Sequence, residues 1–229
     1  MSVFVMRRGE PPATVDDNFA NSSWEAIIAA CQSGNVPDTW AVGDSKMMTI
    51  GDTNYQIDII GKNHDTYTAG GTAPLTFQMH DCYGTGYKMN GSNTNSGGWT
   101  SCAMRSTHLP AILALMPADV QNGIREVNKL TSAGNGSSII NTTADKLFLL
   151  SEIEILGRVR YSKSGEGTQY DYYKAGNSKA KNLSGSVGNW WERSPNGSGS
   201  TAFCDIDSYG GANVGSASNS FGVAFGFCF

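Results

Sequence analysis

Hydrophobic residues recur at helical spacing near the beginning of the chain, over residues 24–31. Ser22 and Ser23 precede this stretch, and Ser33-Gly34 follows it. Serine is favoured at the N-cap of a helix and glycine just after its last turn, so the pattern predicts a capped helix. The stripe that we expect to be buried consists of Trp24, Ile27, Ile28 and Cys31.

Strand-like segments follow this helix. Residues 40–50 and 55–61 flank Gly51-Asp52, a dipeptide that favours turns, and they therefore predict a β-hairpin. Residues 75–81 form a third apolar run of strand length, bounded by polar residues. This run predicts a third strand.

The middle of the chain predicts short elements between polar loops. A loop rich in Gly, Asn and Ser over residues 84–98 leads to a helix over 99–109. Pro110 is expected to end this helix because proline has no amide hydrogen to donate. The other predicted elements are helical stretches over 112–116 and 119–124, a buried strand over 147–151, and a helical turn that Gly176 closes.

The C-terminal part predicts three more strands, over residues 190–195, 203–207 and 223–229, joined by loops of Gly, Ser and Asn. No repeat of fixed period is present, so a single domain over residues 21–229 is the simplest organisation. Residues 1–20 contain two adjacent prolines, which exclude a helix there. They predict an N-terminal arm or attachment segment.

Composition narrows the class of protein. The chain has 28 glycines and only 16% charged residues, whereas 39% of its residues are hydrophobic. This balance favours a packed, loop-rich α+β or β-rich domain over a helical bundle or a disordered chain. The net charge of -4 and the absence of a run of basic residues argue against nucleic acid as a partner, because phosphate binding needs a basic surface.

The sequence also bears on membranes and secretion. No stretch approaches the ~20 apolar residues that a membrane helix needs, so we expect no membrane insertion. The first residues place their charges after a short apolar run, the reverse of a signal peptide. We therefore expect synthesis in the cytoplasm without a signal peptide.

Cysteine usage favours reduced thiols. The five cysteines are an odd number and include no Cys-x-x-Cys pair, which favours small buried side chains over a disulfide framework. Cys204 and Cys228 fall on two predicted C-terminal strands, and the sequence leaves a bridge between them open.

Signals for catalysis are weak throughout. His64, His80 and His108 lie in different segments and lack a paired ligand motif. Glu152 and Glu154 alternate with apolar residues, and nothing singles out a catalytic pair of acids. Asp52, Asp65 and Asp81 lack the acid-dense run of a calcium loop. Nucleophile-elbow, phosphate-loop and dinucleotide motifs are absent as well, so we expect no enzyme, no cofactor and no metal.

Five segments carry a resemblance to a known family. They are TNSGGWTSCAMR at 94–105, TADKLFLLSEIEI at 143–155, GEGTQYDYY at 165–173, WWERSP at 190–195 and GVAFGF at 222–227. With them, the chain from about residue 23 to 229 resembles a family of uncharacterised proteins of gut Firmicutes and their phages. The opening VFVMRRG at 3–9 looks like that of phage-encoded members.

That family is similar in turn to the C-type-lectin-like variable proteins of diversity-generating retroelements, in which a conserved scaffold displays exchangeable C-terminal residues. The resemblance implies an α+β C-type-lectin-like domain with mixed or antiparallel sheets and two or three short helices. It implies a ligand-recognition protein, of the phage receptor-binding or surface-display type, that binds a protein or glycan on a cell surface through residues 190–229. Its setting would be a phage virion or cell-surface display, with residues 1–20 contacting a virion partner or another copy of the chain.

The residue types used in the C-terminal segment agree with a display of exchangeable residues. Residues 194–229 contain no Lys, Glu, Gln, Met or Trp, although the rest of the chain uses all five. Mutation of adenines in Asn codons yields Asn, Asp, Ser, Gly, Ala and Tyr but none of those five. A plain Gly/Ser/Asn hairpin would lack bulky residues too, and a single sequence does not separate the two explanations.

The candidate binding residues are mostly small or polar, with two aromatic residues, Trp190 and Tyr209, among them. Tyr, Ser, Gly and Asn are typical of adaptable binding loops. Strand alternation places Phe203, Cys204 or Ile206 inward and Asp205, Asp207 and Tyr209 outward. Trp191 and Arg193 are assigned to the scaffold, with the arginine paired to a nearby carboxylate. The predicted ligand-binding residues are Trp190, Asp205, Asp207, Ser208, Tyr209, Gly211, Ala212, Asn213, Ser216, Ser218, Asn219 and Ser220.

Two other functions stay open at this point. One is a structural virion decoration or tail component without a dedicated ligand. The other is a metal oxidase like the formylglycine-generating enzymes, which share a C-type-lectin-like core. Those enzymes use a cysteine-based metal site, and Cys204 and Cys228 have no adjacent partner motif.

Overall fold

The computed structural model describes residues 15–229. Residues 1–14, and with them most of the predicted arm, lie outside the described part. The end of that predicted arm belongs to the domain, since Phe19 begins a short 3-10 turn, Phe19–Asn21, and is buried. Its ring meets that of Trp40 edge to face, with centroids 5.4 Å apart.

An antiparallel sheet of four strands forms one layer, in the order β1-β2-β3-β11. Gly51-Asp52 turns the β1–β2 hairpin as predicted, with Ile50 paired to Thr53. The last strand pairs with β3, so the end of the chain returns to the sheet built from its first half. The strands are β1 (Ser45–Ile50), β2 (Thr53–Lys62), β3 (Leu75–Met79) and β11 (Gly226–Cys228).

A second antiparallel sheet has three strands in the order β10-β9-β8, and two further hairpins complete the β-structure. Of these strands, the sequence predicted only β8 and β9. The others carry mostly polar or glycine residues, and their hydrophobic alternation is too weak to stand out. The strands are β4 (Val127–Ser132), β5 (Ile140–Asp145), β6 (Lys181–Leu183), β7 (Ser186–Gly188), β8 (Trp190–Pro195), β9 (Ala202–Ile206) and β10 (Ala212–Ser216).

The helices are short, which together with the antiparallel sheets confirms the α+β class. The first is capped as predicted, because Ser23 Oγ accepts a hydrogen bond from the Ala26 amide at 3.1 Å and Gly34 adopts a φ of 72°. The helices are α1 (Trp24–Ser33), α2 (Gly98–Ser101), α3 (Leu109–Leu113), α4 (Ala118–Gly123), α5 (Glu152–Leu156) and α6 (Asp171–Lys174).

The single helix predicted over residues 99–109 is wrong in its boundaries. The backbone leaves the helical region at Cys102, and a π-helical turn over Met104–His108 then continues into α3. Pro110 lies in the first turn of α3 instead of ending the preceding helix. The helical backbone therefore continues through this proline, from the π-helical turn into α3.

The strand predicted over residues 147–151 is also wrong. This segment is buried, but its backbone makes only one isolated bridge, between Phe148 and Gly226. It ends at Ser151, whose hydroxyl caps α5 while the Glu154 carboxylate accepts the Ser151 amide at 3.0 Å. Glu154, one of the two acids that alternate with apolar residues here, therefore belongs to a capping box, a helix signal that the alternation concealed.

The strand predicted over residues 223–229 is shorter and lies in the four-stranded sheet, away from β8 and β9. Cys204 and Cys228 thus occupy different sheets, which answers the question that the sequence left open: no bridge joins them. All five cysteines are buried free thiols. This agrees with the prediction of small, reduced, buried side chains.

Charged side chains fill the space where the two sheets and α5 meet. Arg193 of β8 is fully buried and donates two hydrogen bonds to Glu154, at 2.5 and 2.8 Å. Lys129 of β4 lies 2.9 Å from the same carboxylate and donates to Asp65 at 2.8 Å. Asp65 also accepts hydrogen bonds from Thr76 and Tyr170. We call these six side chains the buried charge cluster.

Within the buried charge cluster, two cations keep two acids ionised. Burial alone would raise the pKa of Glu154, but Arg193 and Lys129 outweigh burial and hold this pKa below its usual value. The same balance of burial against Lys129 and Thr76 lowers the pKa of Asp65 to about 2. Both acids are therefore charged and matched by two buried cations, which is the condition for tolerating charge in a protein interior.

Removing one carboxylate should destabilise the fold strongly. In Glu154→Gln, Arg193 and Lys129 lose their shared counter-charge, and we expect the free energy of unfolding to fall by about 3–5 kcal/mol. Urea unfolding followed by tryptophan fluorescence measures this change. The matched control is Lys174→Gln, which breaks an exposed pair with Asp171 and should cost less than about 1 kcal/mol. Equal losses in both variants would contradict this role of the cluster.

Candidate functional site

The β9–β10 hairpin carries most of the predicted binding residues, and its loop is held by its own backbone and one acid. Asp207 Oδ1 accepts hydrogen bonds from the amides of Tyr209 and Gly211, both at 2.8 Å. Gly210 adopts a φ of 82°, a conformation that favours glycine. Tyr209 stands on this fixed loop with 94% of its surface exposed. The hairpin therefore presents one aromatic side chain to solvent on an ordered base.

Most of the predicted residues share one extended surface. β10 is the edge strand of its sheet, so its outer side has no neighbouring strand among the described residues. The segment after it is tied to a distant loop, since Ser218 Oγ hydrogen bonds Asn93 Oδ1 at 2.5 Å. The predicted residues that are half-buried or exposed are Asp207, Ser208, Tyr209, Gly211, Ala212, Asn213, Ser216, Ser218, Asn219 and Ser220.

Trp190 and Asp205 were predicted to contact ligand, and both are fully buried. The Trp190 indole donates a hydrogen bond to the Lys179 carbonyl at 2.8 Å and lies beneath the surface. Asp205 does not face solvent because its strand lies between β8 and β10 and both faces of the strand are covered. These two residues support the surface from below instead of belonging to it.

Asp205 forms a polar cluster with two asparagines. Its Oδ1 accepts hydrogen bonds from the amides of Asn189 at 2.8 Å and Asn213 at 3.1 Å. Burial raises the pKa of Asp205 to about 6, although the two asparagine hydrogen bonds oppose this shift. The side chain of Asn213, which reaches the surface, is thereby coupled to a buried group that titrates near neutral pH.

Trp191 and Arg193 lie where a scaffold role requires. Trp191 is buried, packs against Phe221 with the two rings tilted and their centroids 4.6 Å apart, and donates a hydrogen bond to the Tyr87 carbonyl at 2.7 Å. A Cβ at Gly215 would lie 2.4 Å from the Phe221 ring, so glycine alone fits there. Arg193 belongs to the buried charge cluster, where Glu154 is the paired carboxylate.

Glu192 is a buried acid without a partner beneath the same sheet. The side chain is inaccessible, and neither carboxyl oxygen has a hydrogen-bond partner in the described part of the chain. Burial, reinforced by Glu152 and Asp205, raises the pKa of Glu192 well above its usual value. The group is therefore protonated in the folded protein, whereas the unfolded chain ionises it in weakly acidic solution.

Candidates for catalysis or metal binding do not converge. Over residues 15–229, no three His, Cys, Asp or Glu side chains lie close enough together to hold a metal ion. His64 stacks on Tyr170 with centroids 4.0 Å apart, and His80 pairs with Asp58 at 2.7 Å. Cys82 lines a pocket beside His80, but burial raises the pKa of its thiol to about 12, so the thiolate is scarce at neutral pH.

Three cationic side chains lie beside the hairpin, and no pattern in the sequence predicted that they come together. Arg158 and Arg160, from the loop after α5, and Lys179, from the segment before β6, line a pocket of about 340 Å³ with Leu156 and residues 210–212. We call it the cationic pocket. Its cations come from two segments of the chain, so no linear run of basic residues reveals it. The alternation of Arg158 and Arg160 was the one local signal.

The Asp205 cluster predicts a titration near neutral pH. The side-chain amide signals of Asn189 and Asn213 should shift with a midpoint near pH 6, because Asp205 loses its proton there. Side-chain amide NMR spectra recorded as a function of pH measure this midpoint. In Asp205→Asn the shift should vanish, and a midpoint near pH 4 in the parent protein would contradict the raised pKa.

Glu192 predicts a stability that decreases as the pH rises. Above the usual pKa of a glutamate, the unfolded chain releases the proton and the folded protein keeps it, so unfolding becomes more favourable. Glu192→Gln removes this difference and should be more stable than the parent near pH 8. The two proteins should converge near pH 4. Thermal unfolding across this range tests the sign, and parallel curves would refute the buried neutral acid.

Comparison with known proteins places the chain in a family but supplies no activity. No helix within residues 15–229 is long and apolar enough to cross a membrane. No curated protein and no solved structure matches the chain. A family model matches residues 75–228, about two thirds of the 229 residues and the part that contains the hairpin and both sheets' last strands. The chain therefore belongs to the family described as "Domain of unknown function (DUF6273)".

Proposed function

We propose that this protein recognises a ligand through the surface formed by residues 207–220. The observation that carries the proposal is the exposed Tyr209 on a loop that Asp207 and Gly210 hold in one conformation. A tyrosine presented on an ordered loop offers contact area at a small entropic cost on binding. The serine and asparagine residues around it supply hydrogen-bonding groups that suit many ligands.

The scaffold under this surface supports recognition. Residues 203–206, Trp190 and Trp191 are buried, so β8 and β9 form a rigid base for the edge strand β10. Binding residues on loops over a rigid base are a common arrangement in recognition proteins. We further propose that the two sheets and short helices form a C-type-lectin-like fold, in keeping with the motifs at 190–195 and 222–227.

The proposed ligand is a protein or glycan on a cell surface, and the proposed setting is a phage virion or a surface-display system. The resemblance to phage and gut Firmicutes proteins supports this setting. In this hypothesis the part of residues 1–20 that precedes Phe19 attaches the domain to a virion partner or to another copy of the chain. Exchange of residues in the C-terminal segment, as in retroelement variable proteins, is part of the same proposal.

We propose recognition instead of catalysis because the surface offers no reactive group. Within the described chain, the cysteine with the most exposed surroundings, Cys82, has a thiol pKa of about 12. Cys204 is buried, and burial raises the pKa of its thiol well above the usual value. A metal oxidase of the formylglycine-generating type needs thiols that meet at one metal, whereas Cys204 and Cys228 lie in different sheets.

Truncation of Tyr209 tests the proposed surface. In a panel of purified surface glycans and bacterial surface proteins, Tyr209→Ala should weaken binding to the selected ligand by roughly 10-fold or more, as expected for an aromatic anchor. Because Tyr209 is 94% exposed, its loss should leave the thermal stability unchanged. Asn213→Ala and Asp207→Ala should weaken binding too, the latter by releasing the loop.

The matched control is Met47→Ala, which truncates another exposed side chain on β1 in the other sheet. It should bind the ligand as the parent does. Unchanged binding in all three hairpin variants would overturn the assignment of the surface. A chain that forms ordered multimers but binds nothing in the panel would favour a structural virion component.

A further inference from the structure

The cationic pocket concentrates positive charge on a protein that is acidic overall. Arg158, Arg160 and Lys179 line it, although the net charge of the chain is -4. Among residues 15–229, none of these three side chains forms an ion pair with a carboxylate. Unpaired cations that converge on a concave surface attract anions, because their potentials add there.

A buried acid fixes the backbone on the arginine side of the pocket. The Glu152 carboxylate is inaccessible and accepts hydrogen bonds from the amides of Arg160 at 2.8 Å and of Tyr161 and Ser162, each at 2.9 Å. The Arg160 guanidinium lies over the Tyr161 ring, 5.2 Å from its centroid. The backbone that carries Arg160 is therefore held in place before any ligand binds, which lowers the entropic cost of binding.

The lysine side is joined to the hairpin itself. Lys179 is half-buried, and its carbonyl accepts the hydrogen bond from the buried Trp190 indole. A Cβ at Gly210 would lie 3.3 Å from Lys179 Cβ, so the hairpin loop packs directly against the lysine. The cationic pocket and the proposed recognition surface are thus continuous across residues 210–212.

The acid of the hairpin forms no ion pair with the cations of the pocket. Asp207 Oδ1 instead accepts hydrogen bonds from the amides of Tyr209 and Gly211, both at 2.8 Å. This carboxylate orders the loop, and the three cations are left without a paired acid among the described residues. An oxyanion with two or more oxygens suits such a set, because guanidinium and ammonium groups form charge-assisted hydrogen bonds with it.

We propose that the cationic pocket binds the carboxylate or sulfate group of an anionic glycan, whose neighbouring sugar contacts Tyr209; this inference rests on the proposed recognition function. The pocket of about 340 Å³ has room for an oxyanion together with part of the sugar that carries it. The exposed aromatic and the serine and asparagine groups beside it suit a ring that carries hydroxyls. An acidic peptide would lack a site for apolar anchors, since Leu156 is the one large aliphatic side chain that lines the pocket.

The test compares four probes by titration calorimetry near 50 mM salt. They are 3′-sialyllactose as carboxylated glycan, a heparin-derived hexasaccharide as sulfated glycan, lactose as neutral sugar and a penta-glutamate peptide. At least one anionic glycan should bind, and raising the salt concentration should weaken its binding. Which of the two binds distinguishes a carboxylate from a sulfate. Lactose and the peptide should bind at least 10-fold more weakly.

The double variant Arg160→Gln with Lys179→Gln should reduce the binding of the anionic glycan by 10-fold or more. Lys146→Gln is the control, because it removes an exposed cation that lines other pockets, and it should bind as the parent does. Circular dichroism and thermal unfolding check that each variant is folded. Binding that both variants retain would overturn the pocket assignment, as would preferential binding of the peptide.

The two proposals fail in different ways. If Tyr209→Ala loses binding to a ligand of the panel while the double variant keeps it, the recognition surface stands and the anion site is wrong. If no anionic glycan binds but a neutral or protein ligand does, the anion site is again wrong and the recognition surface still stands. If neither Tyr209→Ala nor the double variant changes binding to any ligand, both proposals are wrong.

Discussion

The fold depends on the placement of charge in its interior. Glu154 and Asp65 are brought together from α5 and from the loop before β3, and Arg193 and Lys129 match them from two strands. Each buried ion is expensive to remove from water unless its partners are all in place. The buried charge cluster therefore requires β4, α5 and β8 to adopt one mutual arrangement. A looser packing would leave an unmatched charge.

Strand β8 connects the buried charge cluster to the surface of the hairpin. Arg193 fixes one part of the strand, and Trp190 and Trp191, earlier on it, pack below and beside β9. The hairpin thus rests on a strand whose position an interior ion pair determines. Glu152, at the start of α5, likewise fixes the backbone of the loop that carries Arg160, because its carboxylate accepts a hydrogen bond from the Arg160 amide. Interior acids consequently position both sides of the cationic pocket.

Sequence patterns predicted the elements that have strong apolar periodicity or clear caps. The α1 helix and the β1–β2 hairpin belong to this group because serine, glycine and apolar spacing act locally. Strand β10 escaped prediction because it consists mostly of small and polar residues at the edge of its sheet. The strands β4 and β5 escaped because several of their polar residues are buried by tertiary contacts that no local pattern encodes. Lys129, for example, reads as a solvent-exposed strand residue but is matched by acids distant in the chain. The prediction that Trp190 and Asp205 contact ligand was wrong for a related reason. Alternation along a strand shows which residues share a face of the sheet, but only the packing of the whole domain decides whether that face is exposed to solvent.

The close packing at Gly215 has a consequence for altering this surface. Phe221 and Trp191 occupy the space that any side chain at that position would need. A library with random substitutions along the whole hairpin would therefore consist mostly of chains that do not fold. A combinatorial library should keep Gly215 and Asp207 constant and vary Ser208, Tyr209 and Ser216. Such a design treats the hairpin as two interleaved sets of positions, one that maintains the protein and one that is free to acquire new specificity.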